Sequence, residues 1–141
     1  MMSNTITKKR KILIFIVFGI IGATLIYTWF TFIFTNIVAT LNHYLGLLLF
    51  IPLIYFCYIK KINLLIIFTG LYLILGTINI ISFLPFISSS SFGISIGSFP
   101  IQTPSLNGYS LTLLILYSIL NFDTLTDLYI DYKQTKRPSQ N

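Results

Sequence analysis

The amino-acid sequence predicts an all-α membrane protein: four transmembrane helices in an antiparallel bundle, with the N- and C-termini on the cytoplasmic side. Three observations carry that expectation. The 141 residues are 55% hydrophobic and 9% charged, with a mean hydropathy of +0.88. A soluble domain has about a quarter of its residues charged, so these charges are too few to coat a surface in water. The apolar residues gather into long runs, and a hydrocarbon core of ~30 Å is crossed by about 20 helical residues. Finally, the basic residues form three clusters separated by those runs. Lys8, Lys9, Arg10 and Lys11 precede the first, Lys60 and Lys61 join the second to the third, and Lys133, Lys136 and Arg137 follow the last. Four crossings would put every cluster on one side, and short loops rich in Lys and Arg stay in the cytoplasm. The expectation is one integral domain, residues 1–141, in a multi-pass protein of the bacterial cytoplasmic (inner) membrane.

The first span is expected over residues 12–34, without an internal charge. KKRK followed by ILIFIVFGIIGA opens as a secretory signal does, but the apolar stretch outlasts a signal core. Cleavage after Ala23 would put Ile21 where a small residue is needed, so the segment is expected to stay uncleaved. Gly19, Gly22 and Ala23 offer a small-residue face for another helix. Tyr27 and Trp29 fall toward the outer end, where amphipathic rings favour the interface.

The second span is expected over residues 40–59 and contains Pro52, which removes one backbone donor and favours a kink. The link KKIN is short enough to make a tight hairpin with a third span over residues 62–84, ending before Pro85. Gly70 and Gly76 are expected helix contacts, and Asn79, inside that span by count, needs a partner from a neighbouring helix. Residues 85–108 form the one long external loop, with three prolines, three glycines, a run of four serines and no charge. Its GISIGSFPIQ piece alternates as a short strand or hairpin does. The fourth span is expected over residues 109–130, with a basic cytoplasmic tail at 133–141.

The only acidic residues, Asp123, Asp127 and Asp131, recur every four positions and would line one face of a continuous fourth helix. Counted at about 1.5 Å per residue from Tyr109, they lie roughly 21, 27 and 33 Å along its axis. Asp123 would then stand in the inner third of the membrane, Asp127 at its boundary and Asp131 among the headgroups. One reading is a helix leaving the membrane, its aspartates facing water or pairing with Lys60 and Lys61. The other is an ion or proton path using Asp123, since an acid within a span costs on the order of 3 kcal/mol and needs a reason.

Composition and motifs exclude several classes. The net charge of +6 sits at the ends of apolar runs, where topology and anionic lipid explain it, so no nucleic-acid partner is expected. Cys57 is alone and forms neither an internal disulfide nor a cysteine metal site. His43, beside Asn42 and Tyr44, reads as an interfacial side chain, on the opposite membrane face from Asp123. No nucleophile elbow or glycine-rich phosphate loop occurs, so neither an enzyme nor a cofactor or metal is expected. By analogy of architecture alone, the leading expectation is a non-enzymatic accessory or immunity-type subunit. It would act in the bilayer through another membrane protein or as a homo-oligomer. The alternative is a small conducting protein using the aspartate stripe.

Overall fold

The computed structural model describes the backbone of residues 8–85, 89–90, 93–96, 99–102 and 106–135, and the side chains of 12–85, 106–130 and 132–134 among them. These residues are mostly helical. In chain order they form α1 (Lys8–Phe34), α2 (Leu41–Tyr58), α3 (Ile62–Thr77), β1 (Ser89–Ser90), β2 (Gly93–Ile96), β3 (Phe99–Gln102), β4 (Leu106–Asn107), α4 (Gly108–Leu120) and α5 (Phe122–Thr135). Two helices, Ile12–Phe34 within α1 and Leu41–Tyr58, are long and apolar enough to cross a membrane, or three if the bent pair α4–α5 counts as one.

α2 and α3 end alike. Lys60 takes a left-handed backbone (φ 57°) and its N–H donates to Cys57 O at 3.2 Å, while Lys61 N–H reaches Phe56 O at 3.1 Å. Asn79 (φ 59°) repeats this, with its N–H on Gly76 O at 3.1 Å and Ile80 N–H on Leu75 O at 3.0 Å. Both are Schellman closures, which satisfy carbonyls that a helix end would otherwise leave open. Asparagine tolerates the left-handed region better than most side chains, so Asn79 is where the third run stops being helical. The expected helix over 62–84 therefore ends at Thr77, and residues 78–85 follow as non-helical chain. Asn79 lies at that helix stop.

The fourth run departs from expectation too. Instead of continuing straight toward Tyr132, the helix breaks at Asn121, and α5 leaves α4 at 68°. The Asn121 amide donates to Tyr117 O at 3.1 Å, a carbonyl that already accepts Asn121 N–H at 3.0 Å. Such local side-chain bonding competes with helix propagation. α5 then starts afresh with Asp123 in its first turn, where a carboxylate complements the helix dipole.

Successive helices from α1 to α4 run in opposite directions, as their contacts require. Along α1 and α2, Phe18 stacks on Phe50, Trp29 meets Tyr44 and Phe32 meets His43. Tyr72 of α3 donates to Gly46 O of α2 at 3.0 Å, and Phe68 packs on Phe56. Tyr117 of α4 donates to Ile66 O of α3, with Gly70 against its ring, while Gly76 lies against Ser110. α3 contacts α1, α2 and α4 and is the central element. The core is Ile14, Val17, Ile21 and Leu25 from α1, Phe50 and Leu53 from α2, Leu65, Ile66, Tyr72 and Leu73 from α3, Ile81 and Phe83 from the chain after it, and Leu113 and Tyr117 from α4. In the long connection β2 pairs antiparallel with β3, and β1 with β4, Ser89 opposite Asn107. Asn107 then caps α4, its side chain accepting Ser110 N–H at 3.1 Å.

Candidate functional site

Two regions carry polar chemistry, one at each end of the helical body. At the first, residues 78–85 fold against α1 and α2 with Ile81, Ser82, Phe83 and Pro85 buried. Buried backbone outside a helix needs partners for its polar groups, most of all at membrane depth. Three side chains supply them. Thr28 Oγ1 donates to Phe83 O at 2.7 Å, Asn42 Nδ2 to Asn79 O at 2.7 Å and His43 Nε2 to Leu84 O at 2.8 Å. In return Ser82 N–H donates to Asn42 O at 3.0 Å.

His43 is the pivot of this clasp. Its Nδ1 accepts Thr40 N–H at 3.1 Å, with Thr40 Oγ1 at 2.7 Å. A backbone donor at Nδ1 requires the neutral ring's proton on Nε2, aimed at Leu84 O. The side chain is 2% exposed. His43 is thus a buried connector between the start of α2 and the chain that follows α3. The spacing Thr40-x-x-His43 ahead of an apolar run carries a helix-cap signal, and it was the cue available in the sequence. Both ring nitrogens are engaged in structural bonds, so the clasp offers no free base.

At the other end, Lys60 and Lys61 are exposed on the α2–α3 turn, and Asp123 and Asp127 are exposed on α5. Asp131 lies on α5 but its side chain is outside the described residues, as are the side chains of Lys8, Lys9, Arg10 and Lys11 and the whole of Lys136 and Arg137. The helix contacts set relative levels. Eight residues beyond the Phe18–Phe50 stack lie Arg10 and Tyr58, and four beyond the Tyr117–Ile66 bond lie Asn121 and Ile62. The break at Asn121, the Lys60–Lys61 turn and the basic start of α1 therefore share one level. Asn121 is 1% exposed, and its Oδ1 has no hydrogen-bond partner among the described residues.

The small residues divide into two groups. Gly22 lies against Phe50, Gly70 against Tyr117 and Gly76 against Phe83 and Ser110, all within the chain. Gly19 and Ala23 are instead exposed, and among the described residues nothing lies within 4 Å of where a Gly19 Cβ would be. An open apolar pocket of about 70 Å³ sits between α2 and α3 beside Pro52 and Tyr72, without a free polar group to orient a ligand. Among the described residues no group of three or more His, Cys, Asp or Glu side chains could hold a metal.

No protein family, curated protein or solved structure matches the chain.

Proposed function

We propose that the chain is a four-crossing protein of the bacterial cytoplasmic membrane, acting without catalysis by binding another membrane protein through α1. The observation that carries the binding is the outward face of α1. Gly19 and Ala23 lie four apart in its middle, flanked by exposed Phe15, Ile16, Ile26 and Phe30. Small residues at this spacing let a second helix approach closely, and lipid tails fill such a notch poorly. Four crossings are supported by the opposed directions of successive helices and by one shared level for the Lys60–Lys61 turn and the start of α1. α3 and α4 are short, about 24 and 20 Å at helical rise. The clasped segment 78–85 extends α3, and three of its carbonyls, those of Asn79, Phe83 and Leu84, accept side-chain hydrogen bonds of the kind membrane depth favours.

The interior favours this reading over conduction. Asp123 and Asp127 stand on α5 past the break, and the buried core between the helices is mostly apolar, Val17, Ile21, Leu53 and Leu73 among it, with Thr69, Tyr72 and Tyr117 among its hydroxyl-bearing members. Purification from native expression in mild detergent should yield a stoichiometric partner or a homo-oligomer. Gly19→Leu with Ala23→Leu should release it while the chain still elutes as a folded species. A clean monomer in the wild type would sink the idea. A liposome ion flux abolished by Asp123→Asn would put conduction in its place.

A further inference from the structure

We infer that α5 is an in-plane membrane-surface helix, whose Phe122–Tyr129 flank beds into the lipid headgroup region on the Lys60–Lys61 side. The inference rests on the membrane-spanning reading above and extends it to a segment outside the spans. It begins with the break at Asn121. If α4 runs along the membrane normal, a bend of 68° leaves α5 only about 22° out of the membrane plane. The break lies level with the Lys60–Lys61 turn, where α2 ends and α3 begins. Being continuous with α4, α5 is held at that boundary by its own chain.

Its three faces fit that position. Thr124, Leu125 and Leu128 turn toward the core, with Thr124 buried and the two leucines packed against it. On one flank stand Phe122 and Tyr129, two turns apart and 67% and 64% exposed, followed by exposed Lys133. On the other stand Asp123 and Asp127. Aromatic rings favour the headgroup level, and a lysine one turn beyond can reach lipid phosphate while its stem stays in apolar surroundings. The acidic flank, which would be repelled by anionic lipid, points away from that surface. The aromatic flank therefore fits a lipid boundary, and the charges on its two sides agree with that fit.

Electron paramagnetic resonance depth measurements test this on the full chain in phosphatidylcholine–phosphatidylglycerol nanodiscs. Nitroxide labels are placed in a Cys57→Ser background at Phe122→Cys, Asp127→Cys and Tyr129→Cys, with Leu48→Cys on the exposed face of α2 as the spanning control. Labels at 122 and 129 should favour oxygen over a water-soluble nickel chelate. Their depths should differ by about 4 Å, the drop of seven helical residues tilted 22°. The label at 127 should favour nickel. A label at 129 about 10 Å farther toward water than that at 122 would mean a helix leaving the membrane end-on, and would overturn the inference. A label at 129 shielded from both probes would overturn it in favour of a protein partner. If the Leu48 label favours nickel as well, the spanning reading itself fails. A deep Leu48 label with wet labels at 122 and 129 overturns the α5 inference alone.

Discussion

The two ends of the helical body handle irregular chain in opposite ways. At the His43 end, residues 78–85 leave the helix and are bound by Thr28, Asn42 and His43, each giving a proton to a main-chain carbonyl. At the Lys60–Lys61 end, the fourth helix breaks at a single asparagine whose Oδ1 has no partner among the described residues, and most described side chains of α5 are exposed. One end is closed by specific side-chain bonds and the other by a local competition for Tyr117 O. The difference predicts where substitutions hurt. Changes at the clasp should act on the whole fold, and changes at the break should act mainly on the direction of α5.

The sharpest way to break the comparison is Gly46→Ala. A Cβ there would sit 2.7 Å from Ser82 O, a backbone atom that Ser82, itself tied to Asn42, has little freedom to move. The cost should be about 3 kcal/mol, seen as a lower midpoint for thermal loss of the folded peak in detergent. An unchanged midpoint would mean that residues 78–85 do not lie against α2.

How much of this was legible in the sequence depends on what encoded it. The mostly helical, membrane-type character follows from long uncharged runs, a signal spread over many residues. The ends of α3 and α4 depend instead on one residue each. Asn79 and Asn121 lie in runs whose hydropathy continues past them, and a hydropathy reading counts both as span interior. Only their backbone geometry separates a stop from a continuation. The clasp was hidden for a different reason: it joins Thr28, His43 and Leu84, which are far apart in sequence. The Thr40–His43 cap was the one local clue. Asp123 and Asp127 were singled out by spacing, but their depth was computed along a straight helix that bends before reaching them.

A second, smaller effect sharpens the contrast. His43→Phe keeps an aromatic ring against Phe32, at a larger volume, but leaves Leu84 O and Thr40 N–H without these partners. A loss of about 1–3 kcal/mol is expected, with proteolysis near residues 78–85 as the earliest sign. A neutral outcome would reduce the clasp to packing.

The smallest stability effect is expected at the break. Asn121→Leu removes a buried unpartnered oxygen and the amide that competes for Tyr117 O, so stability should hold or rise by up to about 1 kcal/mol. The larger change should be in shape. Labels at Thr112 and Gln134 should move apart in double electron–electron resonance as α4 and α5 straighten. A loss of stability with no change in that distance would put Asn121 on the same footing as the clasp residues.

Lys60 adds a consequence of its own. It occupies a left-handed position where glycine would relieve about 1 kcal/mol of conformational cost. Glycine there would also halve the cationic mark on the turn, and that mark is what an inserting chain uses to choose which side the turn remains on. On the four-crossing proposal, lysine at this site ranks correct insertion above ease of folding, and a more stable Lys60→Gly variant is expected to insert in mixed orientations.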